Sequence, residues 1–174
     1  MQIQQLTERA IIDWNSFSIG AAESVRFLQP DQLSVILNRV TGADPSIILG
    51  QLSANGNVFL LNRNGILFGP GSTVNVGGLV ASSLNLSNED FLAGNYNFFA
   101  DSASDLAAVV NQGTITIADG GFAVLTGPSV LQEGVILARS GKVVLASGEQ
   151  ATLNLDGRDL VHFAVGEQRT EGVV

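Results

Sequence analysis

Residues 57–82 read "NVFLLNRNGILFGPGSTVNVGGLVAS". An apolar run stops at Asn62-Arg63-Asn64-Gly65 and resumes at once as "ILF". A hairpin would explain that break taken alone. The recurrence of the pattern points elsewhere. "NVFLL" at 57 and "GLVAS" at 78 begin 21 positions apart, as do "GTITI" at 113 and "GVILA" at 134. Ala123-Val124-Leu125 and Val143-Val144-Leu145 lie 20 positions apart. Short β segments at a pitch of about twenty residues mark a solenoid of stacked coils.

The segments suit that architecture. "TVNV", "TITI" and "TLNL" alternate as half-buried strands do. "VFLL" and "KVVLA" do not alternate, and parallel sheets often carry such near-continuous apolar runs. Their borders are Gly, Asn, Ser and Asp, which accept turn conformations. A strand of four or five residues cannot bury its apolar face alone, whereas a coil stacked at about 4.7–4.9 Å on the next buries it continuously. The expected fold is all-β: a right-handed parallel β-helix, the hand being that of parallel crossovers, with a small flanking hairpin or extra sheet.

Composition agrees. The chain of 174 residues is long enough for one domain with a substantial core, and a single domain over 1–174 is expected. It is 45% hydrophobic and 14% charged with 20 Gly, too apolar for disorder and too rich in glycine for a helical bundle. A net charge of -8 without any basic cluster argues against nucleic acid. No apolar run is long enough to span a bilayer as a helix. The start, "MQIQQLTER", lacks the pattern of a signal peptide. Without cysteine there are neither disulfides nor thiolate metal sites.

Two stretches depart from the pitch. Leu33, Ile36, Leu37 and Val40 have helical spacing, with Asp31 as an N-cap after Pro30. Residues 88–105, "NEDFLAGNYNFFADSASD", carry Phe91, Tyr96, Phe98 and Phe99 and have no echo at the pitch. They read as an insertion, a hairpin on the flank pinned by Phe91, Phe98 and Phe99, in preference to an aromatic contact patch.

Three stretches, "DWNSFSIGAAESVRF" at 13–27, 37–82 as a block, and "VNQGTI" at 110–115, resemble the amino-terminal secretion domain of filamentous haemagglutinin-type exoproteins, as does "FLAGNYNFF" at 91–99. The likeness covers nearly the whole chain. It implies a parallel β-helix with a small additional sheet and no enzymatic activity. It also implies a role as targeting signal for two-partner secretion in Gram-negative bacteria. The partner would be an outer-membrane β-barrel transporter with periplasmic POTRA domains, and the product secreted or held at the cell surface after passage through the periplasm. Such domains belong to larger adhesins, haemagglutinins, cytolysins or growth-inhibition proteins, so the chain is expected to be a fragment. The likeness also turns residues 33–40 from helix to strand.

The family's Asn-Pro-Asn-Gly-Ile motif falls on Asn62, Arg63, Asn64, Gly65 and Ile66, with Arg63 in place of proline. These five are the expected transporter-recognition residues. The plainer alternative is a turn in which the amides bond backbone and Gly65 supplies a positive φ.

No catalytic, cofactor-binding or metal residues are expected. His162 is the sole histidine and lies in an alternating stretch, "DLVHFAV". "RSGKVV" at 139–144 lacks the first glycine and the Ser/Thr of a phosphate loop. The competing function is a β-helix that binds or cleaves polysaccharide, for which Glu149, Asp156 and Asp159 are the candidate carboxylates. Self-association through an exposed coil at the carboxyl end, around "LVHFAV", is a further expectation.

Overall fold

The computed structural model describes residues 1–101, 107–155 and 163–165. The described chain winds through about six coils. Coil 1 holds β1 (Gln2–Gln4) and β2 (Arg9–Trp14). Coil 2 holds β3 (Ser24–Leu28), β4 (Val35–Val40) and β5 (Ser46–Ile48). Coil 3 holds β6 (Gln51–Ala54), β7 (Asn57–Asn62) and β8 (Ile66–Phe68). Coil 4 starts with β9 (Thr73–Val76) and β10 (Gly78–Ser82). It then leaves on an excursion holding helix α1 (Asn88–Ala93) and β11 (Tyr96–Phe99), and returns as β12 (Ala108–Asn111). Coil 5 is β13 (Thr114–Ile117), β14 (Phe122–Gly127) and β15 (Ser129–Gln132). Coil 6 is β16 (Val135–Ala138) and β17 (Lys142–Ser147), after which β18 (Gln150–Leu153) and β19 (Phe163–Val165) leave the solenoid.

Three parallel sheets result: sheet I in the order β1-β3-β6-β9-β13-β16, sheet II in the order β17-β14-β10-β7-β4-β2, and sheet III in the order β15-β12-β8-β5. The registers are those of the sequence pitch: Asn57 pairs with Gly78, Thr114 with Val135, and Ala123 with Val143.

The sheets differ in what covers them. All three send alternate side chains into a shared interior of Val25, Phe27, Ile36, Leu52, Val58, Leu60, Phe68, Leu79, Leu125 and their neighbours. In sheet I, β9 and β13 turn polar residues outward, so "TVN" and "TIT" alternate, whereas β16 turns Val135 and Leu137 outward. Sheet II is buried on its outer face as well, where Val35, Leu37, Phe59, Leu61, Val80 and Val124 meet the excursion. A strand covered on both faces has no place for polar alternation, which is why "VFLL" and "GLVA" are apolar throughout.

Residues 35–40 form strand β4. Asp31 accordingly caps a tight turn instead of a helix. Its Oδ1 accepts from the Leu33 and Ser34 amides at 2.9 and 2.8 Å and from Ser34 Oγ at 2.9 Å. The Ser34 hydroxyl first, then the backbone amides, hold its carboxyl below the ordinary value.

The excursion is no self-contained hairpin. Helix α1 is capped by Ser87 and closed by Gly94 at φ 78°. β11 then pairs antiparallel with β18, more than fifty residues on, to form a flanking sheet β11-β18-β19. The buried aromatics are Phe91, Tyr96 and Phe98, while Phe99 is exposed. Tyr96, not Phe99, is thus the third anchor, because alternation along β11 turns Phe99 away from sheet II.

Two arginines from early coils staple the excursion. Arg9 Nη1 donates to Phe91 O at 3.0 Å and Tyr96 Oη at 2.7 Å. The last turn of α1 has no basic residue of its own, and Arg9 supplies that charge across 82 positions. Arg39 Nη2 donates to Leu86 O at 2.8 Å and Asn88 Oδ1 at 2.7 Å.

Candidate functional site

The stretch 62–66 turns coil 3 from sheet II into sheet III. Asn62 ends β7 and is buried. Its Oδ1 accepts from the Asn64 amide at 2.9 Å and Asn64 Nδ2 at 3.2 Å. Its Nδ2 donates to Asp44 O and Ser46 Oγ, both at 3.0 Å. A carboxamide offers two donors and two acceptor sites, so Asn62 is fully satisfied.

Asn64 Nδ2 reaches Gly42 O at 2.8 Å. The two asparagines together sew the corner of coil 3 onto that of coil 2. The Gly65 amide donates to Asn62 O at 2.9 Å and closes the turn. Gly65 sits at φ 105°, and a Cβ there would lie 3.0 Å from Ala108 O. Glycine is required on both counts. Ile66 then points into the solenoid interior.

Of the five expected recognition residues, the folded domain exposes Arg63, half-buries Asn64 and buries Asn62, Gly65 and Ile66. They are brought together as a corner, not as a displayed patch.

Other corners use the same device, which sequence reading did not pick out. Between sheets I and II, the buried Gln29 Nε2 donates to Gln5 Oε1 at 3.0 Å and to Ser34 O and Asn57 O, both at 3.2 Å, while Oε1 accepts from the Gly56 amide at 3.0 Å. Between sheets III and I, the buried Asn111 Oδ1 accepts from the Gly113 amide at 3.1 Å and its Nδ2 donates to Gln132 Oε1 at 3.1 Å. The available signal was an Asn followed two or three positions later by Gly, shared by Asn62 and Asn111.

His162, Asp156 and Asp159 lie outside the described residues. Glu149 does have a partner. Among the described residues no group of three or more His, Cys, Asp or Glu could hold a metal ion, and no helix is long and apolar enough to cross a membrane.

The model of the family described as the TPS secretion domain, the two-partner secretion domain, matches residues 1–172. A heme/hemopexin-binding protein of Haemophilus influenzae is 43% identical over 180 residues, an alignment covering 100% of this chain and 20% of that protein. A second Haemophilus influenzae protein of the same description is 42% identical over 98 residues, 56% of this chain and 11% of the relative. The chain thus spans a fifth or less of the length of these relatives. Among solved structures, the HMW1 secretion domain from Haemophilus influenzae superposes with a TM-score of 0.80 at 38% identity, covering 86% of this chain and 42% of that one. A corner-stitched parallel β-solenoid, a flanking sheet over one face and a family match along almost the entire sequence agree: the chain belongs to the TPS secretion domain family.

Proposed function

We propose that this domain is the export signal of a larger surface or secreted exoprotein, and that the POTRA domains of an outer-membrane β-barrel transporter recognise it before it folds. The burial of Asn62 carries this reading. In the native state its amide is fully bonded inside the protein and out of a partner's reach. A partner that reads Asn62 to Ile66 must therefore meet an extended chain. There "NVFLLNRNGILF" is a β-prone segment able to add to a sheet edge. The same residues then close the corner outside the cell, each finished coil offering its edge to the next.

The test holds the chain unfolded in urea over immobilised POTRA domains, beside the native chain. Binding of the unfolded chain, weakened by joint Asn62→Ala and Asn64→Ala, is the expected result, with lower secretion of the double mutant in cells. Equal capture of the native domain would defeat the proposal.

Self-association belongs to the same reading. Val143 and Leu145, in register with the interior residues Ala123 and Leu125, are 46% and 45% exposed. The edge thus consists of β15, β16 and β17, whereas β19, the described part of "LVHFAV", is the edge of the flanking sheet. We expect weak, concentration-dependent dimers of the isolated domain in sedimentation, abolished by Leu145→Lys. A strict monomer at high concentration speaks against it.

A further inference from the structure

The chain contains two Asn-Gly pairs, Asn55-Gly56 and Asn64-Gly65, and both lie at corners of coil 3. Such a pair is chemically labile, because glycine has no Cβ to shield its amide. The glycine nitrogen attacks the asparagine Cγ. A C–N bond forms, the side-chain nitrogen leaves as ammonia, and a five-membered imide remains. Water opens the imide at one carbonyl to give aspartate, or at the other to give isoaspartate. In isoaspartate the main chain runs through the former side chain and is one carbon longer. The attack needs a free carboxamide and a free glycine amide.

The folded corners supply neither. Asn55 Oδ1 accepts from the Gln29 amide at 2.7 Å, and Asn55 Nδ2 donates to Gln29 O at 2.8 Å. The Gly56 amide donates to the buried Gln29 Oε1 at 3.0 Å. At the second corner, Asn64 Nδ2 donates to Gly42 O and to Asn62 Oδ1, and the Gly65 amide to Asn62 O. Both carboxamides thus hold coil 3 to coil 2, and a carboxamide engaged in that way cannot cyclise. Asn15-Ser16, just after β2, differs. Both residues are exposed, and among the described residues neither the Asn15 carboxamide nor the Ser16 amide is hydrogen-bonded.

We propose that Asn55 and Asn64 are deamidation sites of the unfolded chain, closed when coil 3 folds onto coil 2, and that isoaspartate at either one bars that folding. Loss of a single Asn64 bond leaves the main chain unchanged. An added main-chain carbon does not, and these corners have no slack. Gly65 lies so close to coil 4 that a Cβ on it would stand 3.0 Å from Ala108 O. The modified side chain, now a carboxylate, also turns an acceptor toward Gln29 O or Gly42 O, which need a donor. A chain that waits unfolded therefore loses its capacity to fold, whether or not a transporter reads the segment.

The experiment divides the purified domain between guanidinium chloride and native buffer at one mildly alkaline pH. Samples taken over days are digested, and mass spectrometry with chromatographic separation of aspartate from isoaspartate reads each site. Asn55 and Asn64 should react in denaturant and about tenfold or more slowly in native buffer, since several hydrogen bonds must open first. Asn15 should slow far less. Gly65→Ala, followed in denaturant alone, should slow Asn64 and leave Asn55 unchanged. When the aged denatured sample is diluted, the chains that refold should be depleted of isoaspartate at 55 and 64. Equal rates at Asn55 and Asn64 in the two buffers, or an equal slowing of Asn15, would show that the corner bonds do not protect. Refolded chains carrying the same share of isoaspartate as the whole sample would overturn the bar to folding.

Discussion

Asn62→Ala should lower the folding free energy of the domain by about 2–4 kcal/mol, against about 1 kcal/mol for Asn64→Ala. Turn asparagines at a surface rarely matter so much. Here the amide is buried, and its loss strands Asp44 O, Ser46 Oγ and the Asn64 amide at once. Only the Ser46 hydroxyl lies where water does not reach, Asp44 being exposed and Asn64 half-buried, so the penalty comes from that hydroxyl and from the void left by the buried carboxamide. Asn64 is half-buried, and its removal frees Gly42 O near the surface, where solvent replaces the bond. Urea unfolding followed by the fluorescence of Trp14, the single tryptophan, measures both. Equal and small losses would show that Asn62 is solvated. Under the export role proposed above, Asn64→Ala would then probe recognition with the fold nearly intact.

The pitch was legible because parallel coils pair residues at constant separation, and the registers Asn57 with Gly78 and Ala123 with Val143 carry it directly. It was lost wherever a corner lengthened. Leu79 pairs with Ala123 across the entire excursion, so no search at a fixed spacing could join the two halves. The helical spacing of Leu33, Ile36, Leu37 and Val40 misled for a different reason. Val35 and Leu37 face the flank while Ile36 and Val40 face the interior, and burial on both sides erases the period of two. At the corner, the sequence showed a turn and its glycine. It did not show that Asn62 would be buried, because its partners Asp44 and Ser46 lie 18 and 16 positions away, on the neighbouring coil.

Phe59→Ala should cost about 3–5 kcal/mol, and the loss should fall first on the flank. Phe59 stands in the middle of sheet II, in register with Leu37 on one side and Val80 on the other. Its ring is wholly buried. The centroids of Tyr96, Phe91 and Phe98 lie 4.9, 5.8 and 6.4 Å from its own. Every aromatic anchor of the excursion therefore touches this one side chain. Its neighbours Val58 and Leu60 point into the solenoid and are untouched by the change. Hydrogen exchange separates the two layers: amides of β11 and β18 should lose protection in Phe59→Ala while those of sheet I keep theirs, and Leu60→Ala should lower both together. Uniform loss in both mutants would mean that flank and solenoid form one cooperative unit. The distinction bears on the order of events as a chain emerges from its amino end. β11 is present long before β18, its partner, which follows coil 6. Until then Phe59, with Arg9 and Arg39 from the first coils, is what holds the excursion against sheet II. Removing it would leave an unpaired, apolar strand edge exposed for the interval in which three more strands of sheet II and its flank must still arrive.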